Sequence, residues 1–224
     1  YINTPATILY DKSRTLYGLD KAKVEVRKKD FCILVEGYTD VILSHQAGLT
    51  NVASVSGTAL TPLQLKILKR YTENLSISFD MDLAGDSAAK RGINLALGQG
   101  FNIKVITLPE GKDPADLVVK SAKAWEESIE KAKSILDFYF ETTLKKFDKD
   151  TVEGKKQISK IILPIIKKIP NKIEQTFWLQ KLANEIKARE EDLITEMAKT
   201  KSEEEVLGSG TEGQFVWTGA IGTM

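Results

Sequence analysis

The sequence is poor in the residues that build disulfides and zinc sites. It contains one cysteine, Cys32, and one histidine, His45, in 224 residues. A single cysteine excludes a disulfide framework and a cysteine-based zinc site within one chain. Cys32 lies in an apolar run, which predicts a buried thiol, and His45 falls on the surface of a predicted helix and is assigned no role.

The sequence also lacks a long apolar run and a net charge of either sign. No run is long enough to span a bilayer, and no signal peptide is visible. With 32 Lys and Arg against 31 Asp and Glu, the net charge of +1 does not by itself indicate a nucleic-acid partner. The apolar content of 42% is ordinary for a globular protein, and the length allows one large or two small domains. Because the chain starts with Tyr rather than Met, we expect a fragment of a longer protein.

Short apolar runs alternate with helical patterns in the first half of the chain. This order predicts an α/β fold with a mostly parallel sheet flanked by helices. The predicted strands are 31–35, 51–55, 75–79 and 103–108, and the predicted helices between them are 39–47, 62–70 and 84–98.

From residue 121 onward the apolar spacing is helical without strands, which predicts a small helical bundle. Pro164 interrupts one of these helices and predicts a kink or break there. Five aromatic side chains of this half are expected in the core rather than stacked on bases: Trp125, Phe138, Tyr139, Phe177 and Trp178.

Acidic residues follow two of the predicted strands. Asp80 and Asp82 come directly after Phe79, while Glu36 and Asp40 follow the run at 31–35. Open α/β sheets bind ligands at the carboxyl ends of their strands. Carboxylates without cysteine or histidine favour Mg²⁺ or Mn²⁺ over zinc. Either acidic pair alone could cap a helix or a turn, but the two together indicate a shared metal centre.

Three further stretches carry residues of interest. Ser56 with Gly57 and Thr58 follows the second strand, and suits either a close approach to a phosphate or a turn. Asp113 precedes a proline and a helix, where an aspartate is ordinarily a cap. Residues 1–29 are basic, and could bind phosphates or form a solvated lead-in.

The acidic motifs resemble a known signature. EGYTD at residues 36–40 and FDMDLAG at 79–85 are similar to the TOPRIM domain of bacterial primases, topoisomerases and some nucleases. Further stretches narrow the resemblance to bacterial replicative DNA primases: YINTP at 1–5, LYGL at 16–19, SGTALT at 56–61 and GKDP at 111–114. TVEGKK at 151–156 and IPNKIEQ at 169–175 resemble the helical subdomain that closes the primase core.

The resemblance covers residues 1 to about 200 and implies a division of the chain. It implies the end of a basic N-terminal subdomain at 1–29, a TOPRIM metal-binding domain at 30–120, a helical subdomain at 121–200 and a linker or tail at 201–224. Two positions depart from the family: Met81 stands where it usually has glycine, and Ala115 where many members have a second acid.

The resemblance also implies a function. Such enzymes synthesise short RNA primers on single-stranded DNA from ribonucleoside triphosphates, in the bacterial cytoplasm at the nucleoid-associated replisome. A helicase-binding domain follows the core in full-length primases, and the sequence shows no match to it. The replicative helicase is therefore expected to bind through a region absent here.

Site roles follow from the same resemblance. It implies that Glu36, Asp80 and Asp82 hold two or more Mg²⁺ or Mn²⁺ ions, without zinc. Asp40 and Asp113 would assist a second ion. Four residues would contact nucleic-acid or nucleotide phosphates: Lys12, Arg14, Gly57 and Thr58. Whether Glu36 is a ligand or a general base, and whether Asp116 replaces the second acid, stay open.

Two alternatives stand beside this interpretation. The first is another TOPRIM enzyme, a nuclease or topoisomerase, although a topoisomerase needs a nucleophilic tyrosine on a separate domain and none is visible. The second is a non-catalytic module in which the acids are caps and the helical part binds a partner such as the helicase. A phosphoacceptor pocket is a third and weaker alternative, and its sign would be a stably phosphorylated aspartate.

Overall fold

The computed structural model describes Thr7 and residues 10–56, 59–79, 88–109 and 112–200. Within these ranges the strands are β1 (Cys32–Val35), β2 (Val52–Ser54), β3 (Asn74–Ser78), β4 (Asn102–Val105) and β5 (Lys133–Ser134). A short 3-10 helix at Lys12–Arg14 precedes α1 (Leu19–Lys29), α2 (Tyr38–Gln46), α3 (Pro62–Leu68), α4 (Ala88–Gly98), α5 (Pro114–Lys120), α6 (Ala122–Glu130), α7 (Ile135–Lys146), α8 (Val152–Lys167), α9 (Lys172–Ile186) and α10 (Glu190–Lys199).

The strands form one sheet in the order β2-β1-β3-β4-β5. The first four strands are parallel and β5 is antiparallel to β4, which confirms the predicted mostly parallel sheet. The four parallel strands lie where the sequence predicted them. β5 was not predicted, because two residues are too few to show a period of two.

Both faces of the sheet are buried. Successive side chains of a strand point to opposite faces, so Cys32 and Leu34 of β1 join one core while Ile33 and Val35 join the other. Helices α1, α3 and α4 cover the first face, and α2, α5 and α6 cover the second. This double burial explains the continuous apolar run of β1. Burial raises the pKa of the Cys32 thiol to about 12, which confirms the predicted inert core cysteine.

Helix α1 was missed by the sequence analysis. Leu19, Ala22 and Val26 are buried, but the other eight positions of this helix are mostly charged and obscure the period. Gly18 precedes the helix with φ +80°, and a Cβ on it would lie 2.6 Å from Cγ1 of Val41. Glycine is therefore required there both for the backbone conformation and for the close approach of the chain before α1 to Val41 of α2.

Helices α7 to α10 pack as a bundle that shares the first core with the sheet. Of the predicted kink or break, the break is wrong, because helix α8 continues through Pro164. Proline removes one backbone donor near the end of the helix, while its neighbours Leu163, Ile165 and Ile166 are buried and hold the turn in place. A Cβ on Gly154 at the start of α8 would lie 1.7 Å from the carbonyl oxygen of Asp148, so this glycine allows the loop to cross the helix closely.

Burial corrects two sequence-based expectations. Trp125, Tyr139 and Trp178 are buried as predicted and Phe138 packs against the core, but Phe177 is 59% exposed. His45 is half-buried rather than on the surface. Its ring is directed toward the sheet, where Nε2 lies 2.9 Å from the carbonyl oxygen of Val52 in β2. In the described part of the chain, no helix has the length and apolar character needed to cross a membrane.

Candidate active site

Three parallel strands end together at one edge of the sheet. Val35, the last residue of β1, is in register with Ser54 of β2 on one side and Ser78 of β3 on the other. Glu36 therefore leaves the sheet between the ends of its two neighbours. This is the edge at which α/β proteins bind ligands. We call it the acidic edge, defined by Glu36, Asp40 and Asp113.

Asp40 connects two loops of the acidic edge. Its Oδ2 accepts a hydrogen bond from the backbone N–H of Gly37 at 3.0 Å, and its Oδ1 accepts one from Ala115 at 3.1 Å. The first bond belongs to the cap of α2, and the second reaches the first turn of α5. One buried carboxylate thus fixes the beginning of α2 relative to the beginning of α5.

The charges of two other acids, Glu36 and Asp113, act on Asp40. Burial raises the pKa of Asp40, and the negative charges of Asp113 and Glu36 raise it further, although the two backbone hydrogen bonds oppose the shift. Like charges raise a carboxyl pKa only when they lie close to it. The hydrogen bonds of Asp40 to Gly37 and Ala115 bring the chain next to Glu36 and the chain next to Asp113 to one place, although these two acids are 77 positions apart in the sequence.

Asp113 occupies the cap position that its place before a proline predicts. Its Oδ1 accepts a hydrogen bond from the N–H of Asp116 at 2.7 Å, and the side chain is exposed at the acidic edge. The Asp116 carboxylate lies 3.7 Å from Nζ of Lys112, an exposed ion pair. The role of Asp116 as a substitute acid stays a prediction.

The basic segment is attached to the same edge of the sheet. Gln64, fully buried at the start of α3, donates from Nε2 to the carbonyl oxygens of Lys12 at 3.1 Å and Thr15 at 2.8 Å. Thr61 Oγ1 donates to the carbonyl oxygen of Ser13. The cap of α3 therefore anchors the backbone that carries Lys12 and Arg14, and the Arg14 side chain is exposed.

Two polar residues of this edge escaped the sequence analysis. The spacing of Thr61 and Gln64 is a capping-box pattern that could have identified Gln64. Ser54 had no sequence signal, yet its Oγ donates to the backbone carbonyl of Glu36 at 2.6 Å.

Several predicted site residues lie outside the described residues. These are Asp80, Asp82, Gly57 and Thr58, together with residues 84–87 of a predicted helix and the predicted tail at 201–224. β3 ends at Ser78, and Phe79 is the last described residue before the two aspartates.

The chemistry of the acidic edge fits a hard divalent cation. Its donors are carboxylate oxygens, whereas the softer ligands Cys32 and His45 are respectively buried in the core and bonded to the chain. Among residues 10–56, 59–79, 88–109 and 112–200, no three acids, histidines or cysteines gather closely enough to form a metal site. Both carboxylate oxygens of Asp40 accept backbone hydrogen bonds, one from Gly37 and one from Ala115, so this carboxylate already has a structural role at the acidic edge.

Two family models match the chain. A model described as Toprim-like matches residues 33–118, which hold the parallel strands and the acidic edge. A model described as the DnaB-helicase binding domain of primase matches residues 136–191, from α7 to the first turn of α10. The expectation that nothing in this chain matches a helicase-binding domain was therefore wrong. The helical periodicity that placed a bundle here carries no information about a partner.

Known proteins resemble the chain over most of its length. It is 38% identical over 203 residues to a DNA primase of Clostridium acetobutylicum, covering 87% of this chain and 33% of that protein. It superposes on a DNA primase domain from Pseudomonas aeruginosa with a TM-score of 0.76 at 31% identity, covering 89% of this chain and 64% of that one. A DnaG primase catalytic domain bound to single-stranded DNA gives a TM-score of 0.74 at 30% identity, covering 86% of this chain and 62% of that one.

The chain spans about one third of the length of the curated relatives it matches. The Toprim-like region precedes the region that matches the helicase-binding model, and 86% of the chain superposes on a structure described as a DnaG catalytic core. On these matches, the chain belongs to the bacterial DNA primases of the DnaG type.

Proposed function

We propose that this chain carries the metal-binding part of a primase active site, which joins ribonucleoside triphosphates into short RNA primers on single-stranded DNA in the bacterial cytoplasm. Within it, residues 30–120 would hold the reacting phosphates and residues 121–200 would support them. Residues 1–29 would belong to a basic subdomain and 201–224 to a linker.

The observation that carries this proposal is the pair of hydrogen bonds by which Asp40 joins the turn after Glu36 to the start of the helix after Asp113, at the carboxyl edge of a parallel sheet. Burial raises the pKa of Asp40 and the charges of Asp113 and Glu36 add to the shift, so a charged Asp40 costs the folded state stability. A positively charged ligand offsets that cost, and perturbed carboxyl groups in such a place indicate a functional site.

Each residue would have a distinct task. Glu36, Asp80 and Asp82 would hold Mg²⁺ or Mn²⁺, with Asp113 supporting a second ion. The ions, when bound, would supply charge neutralisation at the phosphates of nucleotidyl transfer. Asp40 would keep the Glu36 and Asp113 loops at a fixed separation. Lys12 and Arg14 would attract template or nucleotide phosphates, because their segment is anchored beside the same edge.

The test is a titration of this chain with Mn²⁺, followed by EPR, beside the Asp80→Asn/Asp82→Asn double variant. We expect saturable binding in the wild type and its loss in the variant, because each substitution removes an anionic ligand while keeping the side-chain size. Equal binding in both proteins would contradict the assignment. A full-length primase carrying Asp82→Asn should lose primer synthesis, and full activity there would also contradict it.

We further propose that the bundle contacts the replicative helicase through an apolar surface of α9. Ile173 is 84% exposed and Phe177 is 59% exposed, and they are neighbours on one helical face because they lie four residues apart. Both fall within the range that matches the helicase-binding family model. Contiguous exposed apolar surface is a feature of protein interaction sites, and this pair would form the centre of such a surface on α9.

The helicase contact can be tested with Phe177→Ala and a matched control. Truncating an aromatic hot-spot residue of an interface costs about 2 kcal/mol or more, so we expect helicase affinity to fall by about 30-fold in a calorimetric assay. Val119→Ala alters a residue that is 75% exposed but lies outside the bundle. Unchanged affinity for Phe177→Ala, or an equal loss for Val119→Ala, would contradict the contact.

A further inference from the structure

We infer that Ser54 is a positioning residue that holds Glu36, the basic segment and the loop after β2 in one arrangement. That this arrangement serves catalysis rests on the proposed function. Ser54 ends β2 and is fully buried. Its hydroxyl donates to the backbone carbonyl of Glu36 at 2.6 Å and accepts from the N–H of Ser56 at 2.8 Å. A hydroxyl can satisfy both groups at once because it is donor and acceptor.

The backbone of Ser54 makes the third connection. Its N–H donates to the carbonyl of Tyr17 and its carbonyl accepts from the N–H of Tyr17, both at 2.9 Å. Tyr17 follows the segment that carries Lys12 and Arg14. One residue therefore bonds directly to the acid-bearing turn, to the residue before Gly57, and to the end of the basic segment.

The turn that follows Ser54 is strained. Ser56 has φ +61°, a left-handed conformation that is uncommon for a residue with a side chain. Its own hydroxyl is buried without a hydrogen-bond partner, so this side chain does not stabilise the conformation. The bond from the Ser56 N–H to the Ser54 hydroxyl is a serine turn, which stabilises this backbone conformation. Ser54 thus holds a strained turn against the backbone of Glu36.

This arrangement requires a hydroxyl at position 54. Alanine would remove the partner of the Glu36 carbonyl and of the Ser56 N–H together, and buried polar groups that lose a partner are costly. Threonine would keep the hydroxyl. Ser44 offers a matched control, because it is also fully buried and its hydroxyl accepts a 3.1 Å hydrogen bond from Nε1 of Trp125, away from Glu36.

The experiment compares Ser54→Ala, Ser54→Thr and Ser44→Ala in this chain by amide hydrogen exchange. In Ser54→Ala we expect exchange to accelerate by roughly 3- to 10-fold in the three connected segments, 15–17, 36–40 and 54–56, as the loss of a buried hydrogen bond predicts. Ser54→Thr should stay near the wild type. Ser44→Ala should change exchange in α2 and α6 but leave segments 15–17 and 54–56 unchanged.

Mn²⁺ affinity supplies the second measurement. Ser54→Ala should weaken Mn²⁺ binding by roughly 10-fold, the scale of losing a residue that orients a ligand. Ser44→Ala should not weaken it. Equal exchange effects of Ser54→Ala and Ser44→Ala on segments 15–17 and 54–56, or no rescue by Ser54→Thr, would overturn the inference. Failure of the wild type to bind Mn²⁺ would instead count against the proposed function, and the exchange comparison would still decide the role of Ser54.

Discussion

Acidic side chains have opposite surroundings in the helical bundle and at the acidic edge. In the bundle, carboxylates meet cations: Asp137 lies 2.7 Å from Lys181, Asp192 lies 2.9 Å from Arg189, and Asp150 lies 3.1 Å from Lys187. These partners lower the pKa of all three aspartates, although partial burial of Asp137 opposes its shift. At the acidic edge, burial and two neighbouring acids raise the pKa of Asp40.

This difference in the surroundings of the carboxylates indicates different roles for the two regions. Paired charges on the bundle maintain a solvated surface and contribute modestly to stability. Crowded like charges at the edge reduce stability, and perturbed carboxyl groups of this kind are typical of functional sites, which agrees with the metal site proposed above. Four changes can sharpen or break this comparison.

The largest expected effect is on activity, from Glu36→Gln. In a full-length primase this variant should lose primer synthesis by at least about 100-fold, because it removes a proposed metal ligand. Glu185→Gln, which breaks the 2.9 Å pair with Lys149 in the bundle, is the control and should leave the rate unchanged. Similar rates for Glu36→Gln and the wild type would remove the functional distinction between the two regions.

A large effect on stability alone is expected from Gly154→Ala. The added Cβ would meet the carbonyl oxygen of Asp148, and overpacking of this kind costs about 1–3 kcal/mol in the free energy of unfolding measured with urea. Gly98→Ala, which meets nothing within 4 Å, is the matched control. The folded fraction of Gly154→Ala should bind Mn²⁺ with wild-type affinity, and a weaker affinity would mean that the bundle is part of the metal site.

A smaller effect is expected in the pH dependence of stability, and its direction distinguishes the acidic edge from the bundle. The raised pKa of Asp40 means that its contribution to stability is fully present below the unfolded-state pKa and is lost as pH rises through the folded-state pKa. The free energy of unfolding of Asp40→Asn, taken relative to that of the wild type, should therefore be higher at pH 7 than at pH 4. Urea unfolding at the two pH values measures this, and an opposite trend would show that the acids are not crowded.

The smallest effect is expected from Asp137→Asn. Its ion pair with Lys181 is more than one third exposed, so its loss should cost about 0.5 kcal/mol at neutral pH. Because the pKa of Asp137 is lowered, that stability is present above the unfolded-state pKa and disappears as pH falls through the folded-state pKa. The destabilisation by Asp137→Asn should thus shrink in acid, the reverse of the Asp40 trend.

Much of the sheet could be predicted from the sequence because its signals are local. Each parallel strand is an apolar run, and the acids Glu36 and Asp113 stand where a strand or a loop gives way to a helix. The shared carboxyl edge follows from parallel pairing alone. The sequence alone therefore predicts that acids from distant positions lie at the same edge of the sheet.

The remainder depends on contacts that no local pattern encodes. Helical spacing predicts that Phe177 lies on the apolar side of its helix, but it does not show whether a neighbouring helix covers that side. In the structure Phe177 is 59% exposed. Helix α1 buries only one narrow row of side chains, which is hidden among charges. The hydrogen bond from Ser54 to Glu36 joins residues 18 positions apart, so it appears only when β1 and β2 pair.

The buried thiol of Cys32 has a practical consequence for spectroscopy. A thiol with a pKa of about 12 and no exposed surface should not react with maleimides or disulfide reagents while the protein is folded. A new cysteine placed at Arg14 or Ile173 could then be labelled selectively with a fluorophore or spin label, without first removing the native one. The native thiol would become reactive only on unfolding, so the same reagent would also count unfolded molecules in the labelled sample.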